Sequence, residues 1–179
     1  MLRLGLKTLH DVAEYFVSRL SVYWIEKLSR RGLHRLKLLW ILRASRLSSR
    51  FNHVEARKII NTSRSQLGQD VLTLGEVGPD KSGFFVEFGA TNGIDLSNTY
   101  LLETEYGWKG ILCEPALIWQ AELANNRAAI IDWRCVWSAS DLTLEFSEAA
   151  VPELSTLDGF GNSDGHKETR RNNHIYPVQ

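Results

Sequence analysis

The 179 residues suffice for one ordinary domain with its own core, plus an extension. The longest uninterrupted apolar run is Leu38–Leu42, which excludes a spanning helix, since that needs about 18 apolar residues. The formal net charge of zero conceals a split: residues 1–60 carry thirteen Lys and Arg against four Asp and Glu, and residues 61–179 carry eight against seventeen.

Residues 4–28 read as an amphipathic helix, because Leu9, Ala13, Phe16, Leu20 and Trp24 recur at three- and four-residue intervals. Arg30, Arg31 and Gly32 punctuate it. A second helical stretch runs over 33–48, with Leu33, Leu36, Trp40 and Leu47 on one stripe and Arg35, Arg43 and Arg46 on an adjoining one. Such helices can lie on an anionic membrane surface. They can equally dock on a neighbour, including the acidic half of the same chain, with the arginines solvated. Both readings stay open for this basic, α-helical N-terminal extension, taken as residues 1–62. No nucleic-acid partner is expected.

Residues 63–179 have a different texture. Ser65 is placed to cap a short helix over "SQLGQDVLTL", and "GPDKSG" at 78–83 is a turn-rich break. Strands and helices then alternate: a buried strand at Phe84–Phe88, a helix at Ser97–Tyr106, a strand at Gly110–Cys113, a helix at Ala116–Asn125 and a strand at Ile130–Val136. Leu142–Phe146 alternates and suits a hairpin. This order predicts an α/β fold with parallel pairing and right-handed crossovers. The tail from Val151 to Gln179 reads as loop.

The motif that carries chemistry is "VEFGATNG", Val86 to Gly93. Open α/β sheets bind ligands beyond the carboxyl ends of their strands. A buried strand here ends at an acid, and Gly89 and Gly93 frame a loop with Ala90, Thr91 and Asn92 between them. Glycine lets the backbone turn sharply and approach a ligand closely. Glu87 suits the ammonium of a methionine moiety, whereas an acid there would repel a pyrophosphate. Glu114, 27 residues later, ends the next strand, where an acid hydrogen-bonds the two ribose hydroxyls of a nucleoside. Pro115 stops that strand. A dinucleotide site expects G-x-G-x-x-G, and the spacing here is G-x-x-x-G.

On these residues the segment from Ser65 to about Arg171 resembles the FkbM-type methyltransferase family. The matching blocks are "SQLGQD", "GFFVEFGATNG", "LSNTYLLE", "GWKGILCEP", "RCVWS", "LEFSE" and "ELSTLDGF". The resemblance implies a Rossmann-like class I methyltransferase sheet, S-adenosylmethionine as cofactor, and O-methyl transfer to a small-molecule acceptor such as a sugar hydroxyl. Position by position, it gives Glu87, Gly89 and Gly93 to the methionine-side loop and Glu114 to the ribose, with Ala90, Thr91, Asn92 and Pro115 also counted as cofactor-binding. The turn with Cys135 and Val136 falls to the adenine. Gln69 and Asp70 resemble a motif that closes over the cofactor, and a plain helix surface with local hydrogen bonds is an equal reading of that pair.

The family continues into further strands and a D-V-E-G-like segment, so this chain is expected to hold the front half of the domain, an incomplete sheet prone to self-association. His166 is the nominated general base, against a plain reading as a solvated loop residue. Asp132, Asp158 and Asp164 are too scattered for a metal site, and Cys113 and Cys135, 22 residues apart, have no zinc spacing. They read as reduced thiols in a cytoplasmic protein, with peripheral contact at the inner membrane surface if the extension binds lipid. Two further readings stay open: a non-catalytic fragment or interaction protein that keeps the nucleoside half-site, and a membrane-surface adaptor.

Overall fold

The computed structural model describes residues 51–160 and 173–179, together with Gly32 and Leu36. The helix expected at 4–28, all of the one expected at 33–48 except Leu36, and His166 lie outside the described residues.

The order of elements is α1 (His53–Thr62), α2 (Gln69–Val77), β1 (Phe84–Phe88), α3 (Tyr100–Tyr106), β2 (Lys109–Cys113), a 3-10 turn at Leu117–Trp119, α4 (Gln120–Asn126) and β3 (Ile130–Asp132). After these come β4 (Leu144–Glu148), a second 3-10 turn at Pro152–Leu154, β5 (Thr156–Leu157) and β6 (His174–Val178). The chain is thus a mixed α/β structure. A parallel sheet of order β1-β2-β3 carries the helices, and a separate antiparallel sheet has the order β5-β4-β6.

α1 starts at a capping box: the Asn52 side chain accepts from the Val54 and Glu55 amides, and the Glu55 carboxylate accepts from the Asn52 amide. Its Ile59, with Phe51 just before it, enters the same core as Val71 and Leu74 of α2, Phe85 of β1, Leu101 of α3, Leu112 of β2 and Leu123 of α4. Among the described residues the core thus includes Phe51 and Ile59, which fall within the stretch 1–62 read from sequence as the extension.

Register alternation gives each strand two faces. Phe85 pairs with Gly110 and Glu87 with Leu112, and this face packs under the helices. Phe84, Val86 and Phe88 point the other way and stay exposed.

Several expectations shift. Ser65 caps no helix: the N-cap of α2 is Gly68, in the left-handed conformation, and Ser65 Oγ donates to Asp70 Oδ1 at 2.7 Å. The helix expected from Ser97 starts at Tyr100, and the third strand ends at Asp132, where the side chain accepts from the Arg134 amide and turns the chain. The segment after Val151 is not simply loop: β5 and β6 flank β4 as antiparallel partners. β6 pairs along its whole length with β4, and Phe146, Val178 and Ala116 form a small second core.

Candidate functional site

A cleft of about 240 Å³ opens at the carboxyl end of β1. Its floor is the loop that follows the strand, Gly89 to Asn92, and one wall is the segment Asp95 to Asn98. Trp119, from the 3-10 turn after β2, and Glu153, from the turn in the second sheet unit, complete it.

The loop is held in an unusual backbone. Gly89 and Gly93 have φ of +67° and +79°. A Cβ on Gly89 would meet nothing within 4 Å, whereas one on Gly93 would lie 2.6 Å from Arg127 and 2.7 Å from Leu123. Gly89 thus supplies a turn beside open space, and Gly93 supplies a turn and a close approach. Thr91 and Leu96 also have positive φ, at +47° and +61°, which is costly for side chains that branch or are bulky. Such strain persists only where surrounding bonds enforce it. For Thr91 the bond is visible: its amide donates to Glu114 Oε2 at 2.8 Å.

Glu114, at the turn after β2, is almost fully buried, and its other oxygen accepts from the Ala116 amide at 2.9 Å. Burial pushes its carboxyl above the usual carboxylate range, and the two amide bonds pull in the opposite direction. Glu114 therefore joins the end of β2 to the glycine loop. Cys135 lies close enough to feel the Glu114 charge, although burial is the larger cause of its raised thiol pKa. Cys113 is pushed up in the same way, chiefly by burial.

Glu87 lines the cleft, but its oxygens are already engaged. Oε2 accepts from Ser97 Oγ and Thr99 Oγ1, and Oε1 accepts from the Asn98 amide at 2.7 Å. Arg127, with a fully buried side chain, lies 3.9 Å from Oε2 and clamps Glu103 at 2.7 Å. The same guanidinium donates to the Gly93 carbonyl, Ser97 Oγ and Thr99 Oγ1. This network fixes the loop and the start of α3 together. Ser97 Oγ also accepts from the Thr99 and Tyr100 amides, so it serves the first turn of α3, and the Asn92 side chain donates to Asp95 Oδ2.

Of the residues nominated from sequence, Glu87, Gly89, Ala90, Thr91 and Asn92 meet in the cleft. Gly93 sits beneath it against Arg127, and Glu114 touches it through Thr91. Pro115, Cys135 and Val136 do not line it; Cys135 packs on the small second core, and Val136 is exposed. Gln69 and Asp70 are elsewhere: Asp70 is buried and accepts from Ser63, Ser65 and the Val71 amide, tying α2 to the segment before it. Trp108 is a core residue whose Nε1 donates to the Lys81 carbonyl, and Trp137 stacks edgewise on Phe160. The tryptophan of the cleft is Trp119.

Sequence reasoning missed Arg127, Trp119 and Glu153. Arg127 follows a helix with no apolar pattern that marks it as buried. Glu153 falls in the segment read as loop. Among the described residues, no group of three His, Cys, Asp or Glu side chains converges as a metal site, and no helix is long and apolar enough to cross a membrane. Both cysteines are free thiols. Comparison of the chain with protein-family models, curated proteins and solved structures finds no match.

Proposed function

We propose that the chain is an S-adenosylmethionine-dependent methyltransferase with a Rossmann-like sheet, acting on a sugar or other small-molecule hydroxyl. The observation that supports this most directly is the charge of the cleft. Glu87, Asp95 and Glu153 line it beside the Trp119 ring, and no Lys, Arg or His does among the described residues. A pyrophosphate would find no cation among these described lining residues. A ligand with an ammonium and a sulfonium finds carboxylates and an aromatic face, both of which favour positive charge. The cleft volume suits one end of a nucleoside-amino-acid conjugate rather than all of it.

Donor chemistry fits this cofactor in two places. The glycine loop leaves open space beside Gly89, so the backbone can approach a ligand without a side chain in the way. Glu114 keeps acceptor capacity beyond its two amide bonds, suited to ribose hydroxyls. When bound, the cofactor supplies an electrophilic methyl group, and the protein's task is to align the acceptor oxygen and exclude water. The proposal also draws on the resemblance of the ordered blocks from Ser65 onward to FkbM-type methyltransferases.

Calorimetric titration tests the proposal. S-adenosylmethionine and S-adenosylhomocysteine should both bind, and NAD should not. No heat with either adenosyl ligand, or tighter binding of NAD, would overturn it. A second reading, an interaction protein that retains the half-site, draws on the exposed apolar face of β1. It predicts no adenosyl binding.

A further inference from the structure

Glu87 is the obvious partner for a cationic ligand, yet its bonding argues against that role. Three donors already occupy three of its roughly four acceptor sites, two on Oε2 and one on Oε1, and the Arg127 guanidinium stands behind them. A carboxylate so engaged has little left to offer an ammonium group. Asp95 is half committed, with Oδ2 held by the Asn92 side chain at 2.9 Å. The remaining cleft carboxylate, Glu153, has no hydrogen-bond or ion-pair partner among the described residues, and it is exposed to the cleft and solvent.

Its backbone, by contrast, is stiff. Glu153 sits between Pro152 and Leu154 in a 3-10 turn closed by bonds from the Leu154 amide to the Val151 carbonyl and from the Ser155 amide to the Pro152 carbonyl. The ring of Pro152 fixes its own φ at the head of the turn. Ser155 Oγ accepts from the Ala149 amide just beyond β4, and the Asp158 amide donates to the Glu145 carbonyl. The second sheet is in turn tied to the opposite wall: the Leu117 amide donates to the Tyr176 hydroxyl at 3.0 Å, and that hydroxyl donates to Glu148 at 2.8 Å. Burial and the neighbouring carboxylates push the Tyr176 phenol up, so it stays protonated and keeps this bond. The turn with Glu153 and the turn with Trp119 are therefore held in one frame.

We infer that Glu153, rather than Glu87, is the carboxylate that receives the ammonium head of an amino-acid-bearing nucleoside, and that the antiparallel sheet is part of the binding site. Glu87 is a positioning residue that holds the glycine loop. The inference rests on the proposed function and refines its cofactor site.

Affinities for two probes separate the two ideas. S-adenosylhomocysteine carries the amino-acid head; 5′-methylthioadenosine lacks it. In the full chain, Glu153→Gln should weaken S-adenosylhomocysteine about three- to fivefold, as expected for one exposed ion pair, and Glu153→Lys should weaken it further. Affinity for 5′-methylthioadenosine should be the same in all three proteins, as should the thermal midpoint. The loss should shrink as salt is raised. Unchanged S-adenosylhomocysteine affinity in both variants, or equal losses for the two probes, would overturn the role of Glu153 while leaving adenosyl binding intact. If neither probe binds the wild-type chain, the methyltransferase reading falls, and this role with it.

Discussion

The Arg127 side chain has no solvent exposure, and five partners share its charge and donors: Glu103, Glu87, Ser97, Thr99 and the Gly93 carbonyl. Removing a buried cation leaves its carboxylates uncompensated, which costs about 3–5 kcal/mol. Arg127→Leu should therefore lower stability by that amount in urea unfolding, with cleft binding lost in parallel. Arg127→Lys keeps the charge but not the fork, and should fall between the two. Glu114 gives a second prediction. Its carboxyl is raised above 4.5 in the folded chain, chiefly by burial. The folded state then holds the proton more tightly than the unfolded state, so Glu114 favours folding most at low pH, and that contribution falls as pH rises from 4.5 to the raised value. Thermal midpoints of wild type and Glu114→Gln, compared from acid to neutral pH, should show the wild type losing ground to the variant across that window and holding a constant difference above it. A wild type that gains ground there would contradict the sign. The acids at 87 and 114 could be found in the sequence because each ends an apolar run. The buried cation near Glu87 could not: Arg127 meets its own partner Glu103 by packing alone, 24 residues apart in sequence.

The glycine loop separates two uses of the same residue. Gly89→Ala meets only the conformational cost of a left-handed residue, about 1–2 kcal/mol. Gly93→Ala adds a methyl group 2.6 Å from Arg127 and 2.7 Å from Leu123, so overpacking joins the strain, for about 2–5 kcal/mol in all. Chemical denaturation should rank the two variants in that order; equal losses would mean that the Arg127 packing gives way freely. The elements around the loop were legible to different degrees for physical reasons. β1 and β2 stand out because short apolar runs bounded by glycines have few other uses, and the structure places both within a residue of the expected bounds. α3 starts later than its pattern suggests because Ser97, Asn98 and Thr99 serve Glu87 before the helix begins. β5 and β6 were invisible: one has two residues, and the other contains Pro177, which normally argues against a strand. Pro177 is tolerated because, among the described residues, β6 lies at the edge of its sheet and pairs with β4 alone.

At the scale of the molecule, the order β1-β2-β3 means that each crossover steps in the same direction across the sheet. Right-handed crossovers in one direction place their helices on one face, and the other face is covered only where the winding reverses. Parallel sheets are ordinarily buried on both sides. Here Phe84, Val86, Phe88 and Ile130 are 61%, 53%, 61% and 65% exposed, and the strands after β3 form the separate antiparallel sheet instead. The outer edge of β1 has no strand partner among the described residues. An apolar face next to an open edge is a template for association. Sedimentation should therefore show the wild-type chain associating as concentration rises. Phe84→Thr combined with Val86→Thr keeps β-forming residues on the strand while removing apolar surface, and it leaves Phe88 in the cleft. This variant should stay monomeric at concentrations where the wild type associates. Its unfolding free energy should change by no more than about 1 kcal/mol, because the replaced side chains face solvent. A wild-type chain that sediments as a monomer at every concentration would show that the β1 face is not an association surface. A variant that loses several kcal/mol would show that the face is covered in solution.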